Sequence, residues 1–202
     1  MIGVKKLGAG VVVFMMLVIA QVAFAADQDP AVLLGQLDKN LQVVNADMKD
    51  KLANFDKAGS TITTGKENVA GIQMDVTTYK DKNGNVLKIY KDPNGNDAQI
   101  KLISAGNGPV LTIAYNPDGS VAQEETFQPI GIKKETVIYN SDGTKTIVVQ
   151  DASLPSDNTM TYQVDKNGNE IPGSKKITTS PGLPPGSVYC QVTGQYQEAK
   201  PT

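Results

Sequence analysis

Arginine, histidine and tryptophan are absent from this chain, and cysteine occurs once. Without histidine there is no imidazole base near neutral pH, no Ser-His-Asp or Cys-His arrangement, and no histidine-ligated zinc, copper or iron. Without arginine the planar fork that grips phosphate or carboxylate is missing, and without tryptophan the broadest stacking platform for sugars or bases goes too. Carboxylates are plentiful, but the adjacent pair Glu124-Glu125 would face opposite sides of a strand and reads as solvated rather than as an acid and a base. The sequence therefore predicts no catalytic residue, no metal, no cofactor and no enzyme. Cys190 can close no disulfide within the chain. In Ser187-Val-Tyr-Cys-Gln-Val192 it shares a strand face with Val188 and Val192, which suits a buried small hydrophobe better than an intermolecular bridge.

Long apolar runs are also scarce. The one near the start has Lys5 and Lys6, then Val11 to Ala20, then Ala23-Phe24-Ala25, the order of a signal peptide with cleavage after Ala25. Leu7 to Ala20 is too short to span about 30 Å of hydrocarbon, which takes about 20 residues. The expectation is an exported bacterial protein, periplasmic or secreted, met by signal peptidase on its way. From Ala26 onward 17 lysines face 21 acids, a formal charge of −4, so nothing electrostatic favours nucleic acid.

What the chain does have is a recurring turn. Tyr90-Lys-Asp-Pro-Asn-Gly95, Tyr115-Asn-Pro-Asp-Gly119, Tyr139-Asn-Ser-Asp-Gly143 and Tyr162-Gln-Val-Asp-Lys-Asn-Gly168 place glycines 24, 24 and 25 residues apart, with weaker turn signals midway. A reversal about every twelve residues is the rhythm of short antiparallel strands. Gly95, Gly119, Gly143 and Gly168 are thus structural turn positions. Nine strands are expected, near residues 71–80, 85–91, 98–104, 109–115, 120–127, 132–139, 144–150, 159–164 and 170–178. On one of them Met160, Tyr162 and Val164 form the apolar face; on another, Ile132, Thr136 and Ile138 oppose Lys133, Glu135 and Tyr139. Asp81-Lys-Asn-Gly-Asn85, Asp92-Pro-Asn-Gly-Asn96 and Asp165-Lys-Asn-Gly-Asn169 offer oxygens to calcium. Their glycine, however, stands fourth rather than sixth as in an EF-hand loop, and hairpin turns are the better reading.

Ahead of the strands lies the one strong helix signal after the leader. Asp29 can cap, Pro30 suits the first turn, and Gly59 supplies a stop, giving a helix from Pro30 to Ala58. Leu34, Leu37, Leu41, Val44, Met48, Leu52 and Phe55 recur every three or four residues as one stripe, which suits a helix covering a sheet. The fold class expected is α+β, mainly β: this helix, then an up-and-down meander forming an open sheet or half-barrel. Residues 1–25 are the signal peptide, 26–180 one domain, and 181–202 a Pro/Gly-rich linker and tail that could return one edge strand from Val188 to Val192.

The helix around Leu33-Leu-Gly-Gln-Leu-Asp-Lys-Asn-Leu41 followed by a long meander resembles the half-barrel superfamily of periplasmic lipoprotein carriers. That resemblance implies a concave apolar face holding acyl chains, a lipid or lipoprotein acyl chain as partner, and a lid formed by Leu37, Leu41, Val44 and Met48. The tyrosine-glycine hairpin period also resembles bacterial tyrosine-aspartate and related hairpin-repeat surface proteins, which implies a structural sheet. The function expected is a non-enzymatic carrier of an apolar ligand, the alternative a structural or adhesive envelope protein. Oligomeric state is left open by the sequence.

Overall fold

In a computed structural model of the protein, the backbone is described over residues 29–152, 156–181, 187–190 and 195–198, and side chains over 29–152 and 158–178. The expected leader with its cleavage site, the segment 182–186 and the Cys190 side chain lie outside these residues.

Among the described residues one helix, α1 (Pro30–Ala53), precedes the sheet. It starts as its residues dictate: the Asp29 side chain accepts from the Ala31 N–H at 2.9 Å, and Pro30 occupies the first turn, where its missing N–H costs nothing. It ends five residues before the expected Ala58. Asn54 sends its backbone N–H and its side-chain amide to the Asp50 carbonyl, closing the helix there. Gly59 lies in the following turn, where its N–H donates to Asp56 Oδ1 at 2.9 Å, and it does not take the positive φ of a helix stop. Among the described residues no helix is long and apolar enough to cross a membrane.

Ten antiparallel strands follow in strict chain order: β1 (Thr61–Val69), β2 (Ile72–Lys80), β3 (Val86–Lys91), β4 (Asp97–Ile103), β5 (Val110–Tyr115), β6 (Val121–Gln128), β7 (Lys133–Tyr139), β8 (Lys145–Asp151), β9 (Ser156–Val164) and β10 (Lys176–Pro181). The fold is a helix plus an open up-and-down sheet, mainly β. Strand β1 has no counterpart among the nine expected. Its residues Gly65, Lys66, Glu67 and Asn68 are poor strand formers, and it is held by nine register pairs with β2 rather than by burial. The last strand starts at Lys176, not Glu170, because Glu170 makes only a lone bridge to Val164 and Ser174 folds back onto the Ile171 carbonyl. Beyond it β11 (Ser187–Cys190) pairs with β12 (Gln195–Glu198) in a separate two-stranded sheet, so the return strand pairs with the tail and not with the main sheet's edge.

Register sorts the side chains into two faces. One row facing α1 runs Tyr79, Leu87, Leu102, Leu111, Thr126, Glu135, Val149, Met160 across β2 to β9, and the next runs Ile89, Ile100, Ile113, Glu124, Val137, Ile147, Tyr162. Met160, Tyr162 and Val164 are buried in it. On β7 the expected faces are exchanged: Glu135 is 3% exposed, whereas Ile138 is 37% exposed on the far side. An apolar count cannot orient this strand, because its inward row carries a carboxylate.

The helix crosses the strands obliquely. Leu34, Leu37 and Leu41 pack with Ile147, Val149, Met160, Tyr162 and Val164 of β8 and β9; Met48 packs with Leu87, Leu102, Leu111 and Ile113 of β3 to β5. At about 1.5 Å per residue α1 is about 36 Å long, and β3 to β9 at about 4.8 Å per strand are about 29 Å wide, so one helix reaches both clusters. Each fully buried Leu or Met contributes about 1.5–3 kcal/mol, which makes these two clusters the clamp on the helix.

Candidate functional site

Between the two apolar clusters, where α1 passes over β6 and β7, the interface is polar. Asp38, Asn45, Glu124, Thr126 and Glu135 are all buried there. Asn45 donates its side-chain amide to Thr126 Oγ1 at 2.7 Å. Lys49 pairs with Glu124 Oε2 at 2.6 Å, and the Tyr139 hydroxyl donates to Glu124 Oε1 at 3.0 Å. The Tyr162 hydroxyl donates to Asp38 Oδ2 at 2.8 Å, and Gln42 reaches the same carboxylate through Oδ1 at 3.3 Å.

Glu135 is the odd member. Its carboxyl lies against Asp38, and its Oε2 is buried without accepting a hydrogen bond. Burial, then the hydrogen bond to Asp38, then the charges of Asp38 and Glu124 push its pKa up to about 8, against a smaller downward pull from Lys49. A carboxylic acid near neutrality can share its proton with the neighbouring carboxylate, which is how two such groups coexist in a dry interface. Burial and Asp38 also raise Tyr162, while burial and Glu124 push Tyr139 up to about 12, so both phenols stay protonated as donors. A cavity of about 580 Å³ opens onto this belt, with Glu135, Glu124, Tyr139 and Tyr162 on one side and Gln42 and Asn45 of the helix on the other.

A second concavity, of about 620 Å³, lies on the far face of the sheet. Ile103, Val110 and Phe127 stand side by side at one end of its floor, and Lys101, Thr112 and Glu125 form the next row. Every one of these is half-buried. The tip of the β1–β2 hairpin adds Ala70 to the rim. That hairpin is tied to the same face, since Glu67 of β1 accepts from Lys88 Nζ at 2.6 Å and from the Tyr90 hydroxyl at 2.9 Å, both on β3. The Lys88 hydrogen bond holds the Glu67 carboxyl below the usual range despite its burial. Glu125 pairs with Lys134 at 3.5 Å, whereas Lys101 stands in no ion pair among the described residues, its charge contributing to the lowering of Glu67.

The four positions expected to form an apolar lid fall in the packed clusters under the helix. Leu37 and Leu41 lie in one packed cluster, Met48 in the other with half-buried Val44 at its margin, and none of the four lines either cavity. The Glu124-Glu125 expectation divides in the same way. The two do face opposite sides, but Glu124 is 7% exposed under the helix, so only Glu125 is partly solvated. No local signal distinguishes Glu124, because its burial is created by a helix about 75 residues earlier in the chain.

Gly95, Gly119, Gly143 and Gly168 lie at φ between 84° and 88°, each as the fourth residue of a five-residue turn. In the three Asp-x-Asn-Gly-Asn turns, Asp81, Asp92 and Asp165 accept through Oδ1 from the N–H groups two and four residues on, and through Oδ2 from the last asparagine's amide. The oxygens offered to calcium are thus engaged by the turn itself, which also holds these carboxyls below their ordinary range. In Asn116-Pro-Asp-Gly-Ser120 and Asn140-Ser-Asp-Gly-Thr144 the roles exchange: the third-residue aspartate accepts from the N–H and hydroxyl of the fifth. Comparison with protein-family models, with curated proteins and with solved structures finds no match for this chain.

Proposed function

We propose that this protein is a non-enzymatic binding or carrier module for an acyl-chain ligand with an anionic head, working in the bacterial envelope after export. The observation that carries this reading is Lys101, half-buried in the floor of the far-face groove beside the Ile103, Val110 and Phe127 row and lacking an ion-pair partner among the described residues. An amphiphile matches that layout, with its chain along the apolar end and its carboxylate or phosphate at the ammonium. The groove's volume of about 620 Å³ suits a small-molecule site, which typically takes about 300–1,000 Å³. The ligand therefore sits on the face away from α1, and Leu37, Leu41 and Met48 serve the core.

Titration with a fluorescent fatty acid tests it. Binding should weaken about tenfold in Lys101→Met and vanish in Val110→Asp, with the β-sheet circular dichroism retained. Absence of binding by the parent protein, or equal binding by all three, rejects the carrier reading.

One observation favours the structural alternative. Edge strand β1 offers nine residues paired on one side only, with Ile62 exposed, and such an edge can join sheets between molecules. Concentration-dependent assembly that is abolished by a proline at Thr63 supports that reading over the carrier.

A further inference from the structure

The polar cavity beneath the helix is separate from the acyl groove and lies on the opposite face of the sheet. We infer that it is a binding site for a small organic ammonium ion, with Glu135 as its anionic anchor. Three observations converge. The first is the donor vacancy: Glu135 is almost wholly buried, lines the cavity, and leaves Oε2 without a hydrogen bond. A buried acceptor left unmet destabilises the fold, so a donor arriving from the cavity recovers that cost.

The second is charge. The groups around Glu135 are Asp38 and Lys49 from α1, Glu124 from β6, Tyr139 from β7, Lys145 from β8, and Tyr162 with the nearby Glu170 from β9 and its turn. Four carboxyls face three ammoniums; Lys49 is engaged by Glu124 and Lys175 by Glu170, which leaves Asp38 and Glu135 against Lys145. With Glu135 ionised the belt is one charge short of neutral, and a cation restores the balance.

The third is the pair of phenol rings. Lys145 Nζ lies 4.8 Å from the centre of the Tyr139 ring, and Lys175 Nζ lies 5.4 Å from that of Tyr162. Each phenol thus already carries one of the protein's own ammoniums on a ring face, and Lys145 of that pair lines the cavity. Gln42 and Asn45 supply amides on the helix wall.

The proton accounting is simple. The ligand arrives as an ammonium, the Glu135 carboxylic acid gives its proton to solvent, and the resulting carboxylate accepts an N–H from the ligand. No bond to carbon changes. Binding therefore tightens as pH rises toward the range in which Glu135 ionises unaided, while an aliphatic amine with a pKa of about 10.4 stays charged.

The probe is 1,4-diaminobutane, titrated calorimetrically into the full chain between pH 6 and 8.5 in two buffers of different ionisation heat. The expected result is affinity rising about tenfold per pH unit up to pH 8, with close to one proton released. Glu135→Gln should lose at least tenfold at pH 8.5 and release no proton, whereas Glu125→Gln, on the other face, should bind like the parent. Absence of measurable binding at about 10 mM diamine, an affinity indifferent to pH, or full binding by Glu135→Gln overturns the inference. Should Glu135→Gln fail to fold, the parent's pH slope and proton release decide alone. Fatty-acid binding reports only on the opposite face, so either reading can fail without the other.

Discussion

Tyr162 on β9 donates its hydroxyl to Asp38 on α1 at 2.8 Å, joining two residues 124 positions apart in the chain. The bond fixes where the helix lies, because apolar packing on either side tolerates sliding and a buried carboxylate does not. Asn45 to Thr126 and Lys49 to Glu124 repeat the device about two and three turns further along α1. The polar belt is a register mark for the helix across the sheet.

Stability should therefore depend on pH through Glu135. Its folded pKa of about 8 exceeds the ordinary 4.5, so its contribution is complete below pH 4.5 and is lost as pH climbs to 8. The turn aspartates Asp81, Asp92, Asp118, Asp142 and Asp165 act in reverse: with lowered values, their contributions hold above pH 3.8 and fail below it. The melting midpoint should peak between about pH 4.5 and 6. Glu135→Gln should flatten the alkaline decline and gain on the order of 1–3 kcal/mol over the parent at pH 9, measured by denaturant titration. Identical alkaline slopes in the two proteins would remove Glu135 from the account.

Leu41 is fully buried in the cluster over β8 and β9, and Val43 is 71% exposed on the same helix. Leu41→Ala should cost about 3 kcal/mol and Val43→Ala less than about 0.5 kcal/mol in urea unfolding. Comparable losses at both positions would mean that the helix docks by another face.

Gly143 has open space where a Cβ would stand, so only its φ of 84° opposes substitution. Gly143→Val should cost about 1–2 kcal/mol, while Ser141→Ala in the same turn should cost little, as thermal unfolding will show. Equal and negligible effects would contradict the turn geometry.

Ala70 carries the opposite strain. With Gly71 it forms the two-residue β1–β2 connection, and it holds φ at 51°, where a side chain is unfavourable. Ala70→Gly should stabilise by about 0.5–1 kcal/mol, read as a higher urea midpoint at unchanged slope. A destabilised variant would show that unfolded-chain entropy outweighs the relieved strain.

The meander was legible because its information is local. Each Asp-x-Asn-Gly-Asn or Asn-x-Asp-Gly-Ser/Thr turn satisfies its own hydrogen bonds, so its residues announce it wherever they occur. Strand β1 was not legible, since Gly65 and Asn68 argue against a strand and the Ala70-Gly71 reversal lacks the usual asparagine or aspartate. The candidate sites were hidden for a different reason. Glu135 looks like a solvated strand residue until α1 brings Asp38 to it, and Lys101 looks like any exposed lysine until the β1–β2 hairpin brings Ala70 to the rim of its groove. Both depend on contacts between distant residues, which neither alternation nor turn chemistry encodes.

Because every strand pairs with the strand just made, the sheet can grow hairpin by hairpin as the chain lengthens, and each closure spans only a short loop. The helix is treated otherwise. It is synthesised before all ten strands, yet half of its partners lie on β8 and β9, more than 100 residues later. An element made before every strand is thus the last to be housed, and until β9 exists Leu34, Leu37 and Leu41 lack their partners. A chain leaving the ribosome, or threading through a membrane pore N-terminus first, carries an uncovered amphipathic helix through most of its birth. That interval is when a chaperone would find its clearest handle.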